Sequence, residues 1–274
     1  MKYGLLGVGV AAVFAMGAQV AQADVLDDIA ERGTLRVGVK ADYPPYGFLN
    51  ESGDIVGIEP SLAQDVADLL GVDLELVPVV SSNRMQFLEQ GQIDLMIATM
   101  TDRNDRREVV QAVDPNYYSS GTNVLALSAA QLTEWEQLDG IPVCGIQGAF
   151  YNRKTEEEYG AEIIAFTGTA EALTALQQGT CVAFVYDDSF IVSRLSEPEW
   201  ADYEMPLPTI DDAPWALAVA LGEDRFADLM SGMIVDWHLN GRILELETEF
   251  GVPNTPFAEH MHDLLVGVNP SIDR

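Results

Sequence analysis

The clearest chemistry in this chain follows a short apolar run. In the stretch NRMQFLEQGQIDLMIATMTDRNDRREVVQAVDPNYYSSGTN (83–123), the strand-like IDLMIAT ends on Thr99, and Thr101 and Arg106 come just after it. A guanidinium is a planar fork that meets a carboxylate at two points, and hydroxyls with loop N–H groups complete such a site. Other polar residues also stand at the ends of apolar runs. Lys40, Asp42 and Tyr43 follow LRVGV, Gln147 and Gly148 follow IPVCGI, and Asp187 and Asp188 follow VAFVY. An acid for an ammonium, an arginine for a carboxylate and a helix N-terminus at Gly148 suffice to hold a zwitterionic α-amino acid. Each residue also has a plainer reading. Lys40 could be a solvated lysine, Arg84 half of an ion pair on a helix surface, and Asp188 could stand in for Asp187.

The elements that must position these residues alternate. LRVGV is an expected strand, and 61–70 an expected helix with Ser61 and Gln64 as a capping box and Gly71 as its stop. LELVPV, a helix over 84–90 and the strand IDLMIAT continue the βαβ rhythm, which predicts parallel sheets with right-handed crossovers. The rhythm restarts after Gly121 with strand TNVLALS and a helix over 131–138. Strand IPVCGIQ, a helix over 149–159, strand EIIAF, a helix over 170–178 and strand VAFVY follow. WALAVAL reads as a return strand, and 224–239 as an amphipathic helix with Phe226, Met230, Met233 and Trp237 on its core face. This pattern predicts an α/β protein of two lobes, 24–121 plus 217–274 and 122–216. The chain would cross between them near Gly121–Asn123 and Pro214–Leu217, with a ligand cleft at the carboxyl ends of the strands.

Composition narrows the function. A formal charge of −30 makes nucleic acid an improbable partner, because its phosphates would be repelled. Residues 1–23 read as a signal peptide: Lys2, a short apolar run and Ala21-Gln22-Ala23 before the cleavage point. They predict export, and export favours a disulfide between Cys144 and Cys181 over two buried thiols. His260 and His262 are two apart and have no third partner, so no metal site or cofactor is expected.

The 83–123 stretch resembles, in order, the segment QxGxxDxxxxxMTxxxxR…VxxxxxYY of the family 3 solute-binding proteins, the periplasmic amino-acid receptors of ABC importers. GTLRVGVKADYPPYGF resembles that family's opening strand and first cleft loop. GDIVGIEPSLAQDVADLLGV resembles its GxxxGFDxDLAxxxAxxLGV, with Ile58 for the usual Phe and Pro60 added. The resemblance implies a type II periplasmic binding protein fold, a periplasmic monomer without cofactor, an amino-acid ligand and an ABC permease as partner. It sets Arg106 at the α-carboxylate arginine, Thr99 and Thr101 at its hydroxyl partners, Tyr43 at an aromatic that packs on the ligand, and Asp187 at the ammonium-binding acid. Cys144 and Cys181 stand where members of the acidic-amino-acid branch carry a disulfide. SSNR resembles the SANR of glutamate and aspartate receptors, so Arg84 and Lys40 would meet a side-chain carboxylate. Two departures stand out. Gly148-Ala149-Phe150 replaces GTT or GST, so that Phe150 or Tyr151 would narrow the pocket or stack on the ligand. Arg103 replaces an uncharged residue, as a surface cation or a third cation in the cleft. Two other readings share the fold: a cyclohexadienyl dehydratase-like enzyme, which needs a general acid in the cleft, and an accessory protein of a periplasmic dehydrogenase.

Overall fold

The computed structural model describes residues 24–268; the expected signal peptide lies outside them. The first part of the chain runs α1 (Val25–Arg32), β1 (Thr34–Val39), β2 (Asp42–Tyr43), β3 (Gly47–Leu49), β4 (Ile55–Val56), α2 (Ile58–Leu70), β5 (Asp73–Pro78), α3 (Arg84–Glu89), β6 (Leu95–Met96), α4 (Asn104–Arg107) and β7 (Gln111–Ala112). The second runs β8 (Tyr118–Leu127), β9 (Pro142–Ile146), α5 (Tyr151–Tyr159), β10 (Glu162–Phe166), α6 (Thr169–Gln177), β11 (Ala183–Asp187), α7 (Asp188–Leu195), β12 (Tyr203–Glu204) and β13 (Ile210–Trp215). The chain then returns as β14 (Ala218–Val219), α8 (Asp224–Leu239), α9 (Arg242–Glu249) and α10 (Pro256–Val268).

Two main sheets result, with orders β5-β1-β6-β14-β7 and β10-β9-β11-β8-β12, where β13 pairs with β8, and β2-β3-β4 form a small third sheet. In each main sheet, the first three strands are parallel, the middle one being first in sequence. The main sheets are mixed rather than wholly parallel. β14 runs antiparallel to β6, and β8 antiparallel to β11. These are the strands that arrive from the other sheet, so no βαβ crossover fixes their direction. The two connecting segments lie side by side: Val113 N–H bonds the Leu217 carbonyl at 2.9 Å, Tyr117 N–H that of Trp215 at 3.0 Å, and Ala216 N–H that of Met100 at 2.9 Å. Trp215, wholly buried, stacks on Tyr118 at 5.0 Å and meets Tyr46 edge-on at 4.8 Å.

Some elements differ from the expected ones. Helix α2 starts at Ile58, three residues before the expected cap. Gly57 at φ 136 turns the chain, and the Ile58 and Glu59 amides bond the carbonyls of Pro45 and Tyr46. Pro60 falls in the first turn, where its missing N–H costs nothing. Ser61 Oγ instead donates to Gly57 O, and Gln64 reaches Asp68, so there is no capping box there. The helix expected over 131–138 is only two 3-10 turns, Ser128–Ala130 and Trp135–Leu138, separated at Gln131 (φ 52). IDLMIAT pairs as a strand only at Leu95–Met96, and WALAVAL within the first sheet only at Ala218–Val219. Trp215 closes β13 in the other sheet. On α8, Phe226, Met230 and Trp237 are buried as expected, Ile234 joins them, and Met233 is half-buried.

Candidate ligand-binding site

The strand ends of the two sheets face one another across a small, largely buried cavity. Its walls are Ser81, Arg84, Thr99, Thr101 and Arg106 from the first part of the chain, and Ala149, Phe150, Tyr151, Tyr186 and Asp187 from the second.

Thr99 is built into an unusual backbone. It holds φ at +48, a left-handed conformation that β-branched residues rarely adopt. A wholly buried carboxylate keeps it there: Glu59 Oε1 accepts the Thr99 N–H at 2.6 Å and the Tyr117 hydroxyl. The fork of Arg106 is held by the Thr101 carbonyl at 2.9 Å on one side and by the Gly148 carbonyl, across the cleft, at 3.1 Å on the other. Gly148 must be glycine, since its φ is +80 and a Cβ would fall 2.9 Å from the Ser81 carbonyl. Arg84, at the head of α3, points inward and donates to the Ala98 carbonyl, while its Nε has no partner. Among the described residues, neither Arg84 nor Arg106 has a carboxylate oxygen within 4.0 Å. Burial lowers both pKa values, that of Arg106 to about 9, which leaves Arg106 cationic at neutral pH.

Opposite them, Asp187 ends β11. Its Oδ2 accepts the Tyr43 hydroxyl at 2.5 Å, and its Oδ1 has no partner. Burial pushes its carboxyl up to about 7.

Of the eight residues expected from sequence, Arg84, Thr99, Thr101, Arg106 and Asp187 thus line one cavity. Lys40 and Tyr43 stand behind its wall, and Gly148, exposed, meets it through the carbonyl that holds Arg106. Lys40 is wholly buried, with its Nζ 3.5 Å from Asp42 Oδ1. Tyr43 is wholly buried among Tyr46, Tyr186, Phe190 and Trp215. The two departures meet: the Arg103 guanidinium lies 5.9 Å over the Phe150 ring, while its Nε bonds Asp105 at 2.9 Å. Ser81, Tyr186 and Glu59 were missed. Tyr186 sits beside Asp187 in VAFVYDDS and could have been read from β11's end. Nothing local marks Glu59, an acid at the head of an amphipathic helix. His262, weighed as a metal ligand, bonds the His238 carbonyl through Nδ1 at 2.8 Å.

Two sheets of 2-1-3 order, exchanging antiparallel strands and enclosing a charged cavity where their strand ends meet, define a type II periplasmic binding protein fold. The family model of the bacterial extracellular solute-binding proteins, family 3, matches residues 35–253, and the chain belongs to that family. It is 28% identical over 229 residues to the ABC transporter glutamine-binding protein GlnH of Bacillus subtilis, covering 81% of this chain and 83% of that one. It is 20% identical over 250 residues to the glutamate/aspartate import solute-binding protein of Salmonella typhimurium, covering 86% and 82%. The crystal structure of an ancestral amino acid-binding protein, AncCDT-1, a precursor of cyclohexadienyl dehydratase, superposes with a TM-score of 0.73 at 26% identity, covering 82% of this chain and 99% of that one.

Proposed function

We propose that the protein is the periplasmic receptor of an ABC importer, and that it binds an acidic amino acid, glutamate or aspartate, between two lobes and delivers it to a permease. The observation that carries this is the pair of buried guanidiniums, Arg84 and Arg106, without carboxylate partners in one closed cavity. A buried cation is costly unless an anion meets it. Arg106, with the Thr99 and Thr101 hydroxyls, takes the α-carboxylate. Asp187, whose Oδ1 is free, takes the ammonium. That leaves Arg84 and its free Nε for a second carboxylate. Glu59 is near enough to feel the charges of Arg84 and Lys40, but its Oε1 is engaged by the Thr99 amide and the Tyr117 hydroxyl and it pairs with neither cation within 4.0 Å among the described residues, so it softens their field without replacing a ligand anion.

Calorimetry with glutamate, aspartate, glutamine and arginine tests the reading. The acidic pair should bind tightest, and Arg84→Ala should remove ~1–3 kcal/mol of their advantage over glutamine, roughly 5- to 150-fold in affinity. Tighter binding of glutamine or arginine by wild type, or an unchanged ranking in Arg84→Ala, would sink the specificity.

One observation favours a second reading. A carboxyl with a pKa of about 7 inside the cavity, Asp187, is placed as a general acid would be. A dehydratase acting on a prephenate-like dicarboxylate would use it beside the two arginines. Incubation with prephenate decides: a receptor returns it unchanged, an enzyme converts it.

A further inference from the structure

Helix α6 opens behind Gly168, which has no side chain to cap it. Its cap comes from across the cleft. Asp42, on β2, sets Oδ2 2.8 Å from the Thr169 amide, and the Thr169 hydroxyl donates to the Asp42 carbonyl and lies 3.3 Å from Oδ2. The bare Gly168 permits the approach, since a Cβ there would fall 2.9 Å from Asp42 Oδ2. Behind Asp42 lies the buried ammonium of Lys40, 3.5 Å from Oδ1 and without a hydrogen-bond partner.

We propose that Asp42 is the positioning residue that latches the closed cleft, capping α6 from the other half of the molecule, with Lys40 holding Asp42 in place from behind. The proposal rests on the reading that a ligand is bound between two lobes that open and close. An isolated α6 would carry orphan amides at its first turn, and an anionic oxygen at that end is favourable. This bond exists only when the halves meet, so its whole free energy biases the closed form. Any ligand that needs closure then binds more tightly in proportion to the closed population.

The test is a double-mutant cycle read by calorimetry with L-glutamate, L-aspartate and L-glutamine. Asp42→Ala removes the acceptor. Thr169→Pro removes the donors at the first helical position, where proline fits a helix. Each should weaken binding of whichever amino acid wild type takes by roughly 2- to 30-fold, the range of N-cap substitutions. The double variant should lose no more than one single variant, because both remove the same bond. Asp42→Asn, which still accepts from the amide, should recover most of the loss. A merely structural role would not produce that pattern. Full affinity in Asp42→Ala, or losses that add in the double variant, would overturn the latch. Should none of the three amino acids bind wild type, the ligand reading fails, and amide exchange judges the latch in the ligand-free protein. Slower exchange at Thr169 in wild type than in Asp42→Ala supports it, and equal exchange overturns it.

Discussion

Asp187 carries the sharpest consequence at the scale of single residues. Its carboxyl rises from 3.8 to about 7 because burial disfavours the charged form, and the Tyr43 hydroxyl with the charges of Arg84 and Lys40 offsets this only in part. A ligand ammonium needs the ionised form. Binding at pH 6 should therefore release close to one proton, and affinity should climb with pH until about 7 and then level off. With that carboxyl at about 7, binding at pH 5.5 should be about 30-fold weaker than above pH 8, a tenfold change for each unit below the pKa. The sign for stability is opposite. Glu59, also pushed by burial to about 7, and Asp187 both favour the protonated state when folded. The ligand-free protein should lose stability as pH rises from about 4 to 7, and stay level above. Calorimetry in buffers of differing ionisation enthalpy counts the protons. Glu59→Gln should keep the pH profile of binding and Asp187→Asn should flatten it. A profile that survives Asp187→Asn would refute the assignment.

At the scale of elements, how much could be read from sequence depended on whether a residue's role was local. Arg106, Thr99 and Thr101 follow one another along a single loop, so their order on the chain predicts their meeting in space. Glu59 lies forty residues from the amide that it holds, and only packing of α2 under the Thr99 turn brings them together. The start of α2 was misplaced for the same reason: its first donors are satisfied by the carbonyls of Pro45 and Tyr46, from a neighbouring loop rather than from a cap. The shortened strands β6 and β14 reflect the same limit. Apolar runs there are buried around a crossing, and periodicity cannot tell a paired strand from buried irregular chain. The disulfide is an element-scale feature too. Cys144 in β9 and Cys181 just before β11 are bonded, both almost wholly buried, with Cα atoms 5.5 Å apart. They close a loop of 37 residues' separation that contains α5, β10 and α6. The chain-entropy model puts the contribution at about 4 kcal/mol. Cys144→Ala/Cys181→Ala should lower the urea midpoint accordingly with the ligand site still formed. An unchanged midpoint would mean that the loop is already ordered without the bond.

The whole molecule adds a constraint that neither scale contains. The cavity walls are closed: Arg84, Thr99, Thr101, Arg106, Tyr151, Tyr186 and Asp187 are each less than 9% exposed. So little of this wall meets solvent that a receptor is expected to admit its ligand in a form in which the halves stand apart. The contacts across the cleft that would break are mostly polar: Arg106 to Gly148, Tyr43 to Asp187, Asp42 to Thr169, and Arg103 over Phe150, with the Tyr43 ring leaving Tyr186 and Phe190. The contacts that would remain are extensive. The connecting segments are hydrogen-bonded side by side from Val113 to Tyr117 and from Trp215 to Leu217, and Trp215 packs under Tyr46 and Tyr118. That asymmetry is what a hinge requires: a weak, wettable seam on one side and a packed pivot on the other. Small-angle scattering should give a larger radius of gyration without ligand than with saturating glutamate, and the liganded profile should match the closed form. The same ligand should raise stability by ~2.7 kcal/mol at a hundredfold excess over its Kd, seen as a higher Tm. If glutamate raises Tm while the two scattering profiles coincide, the ligand binds without closure. The seam would then be a fixed interface, and entry would have to occur through local opening of the Phe150 side of the wall.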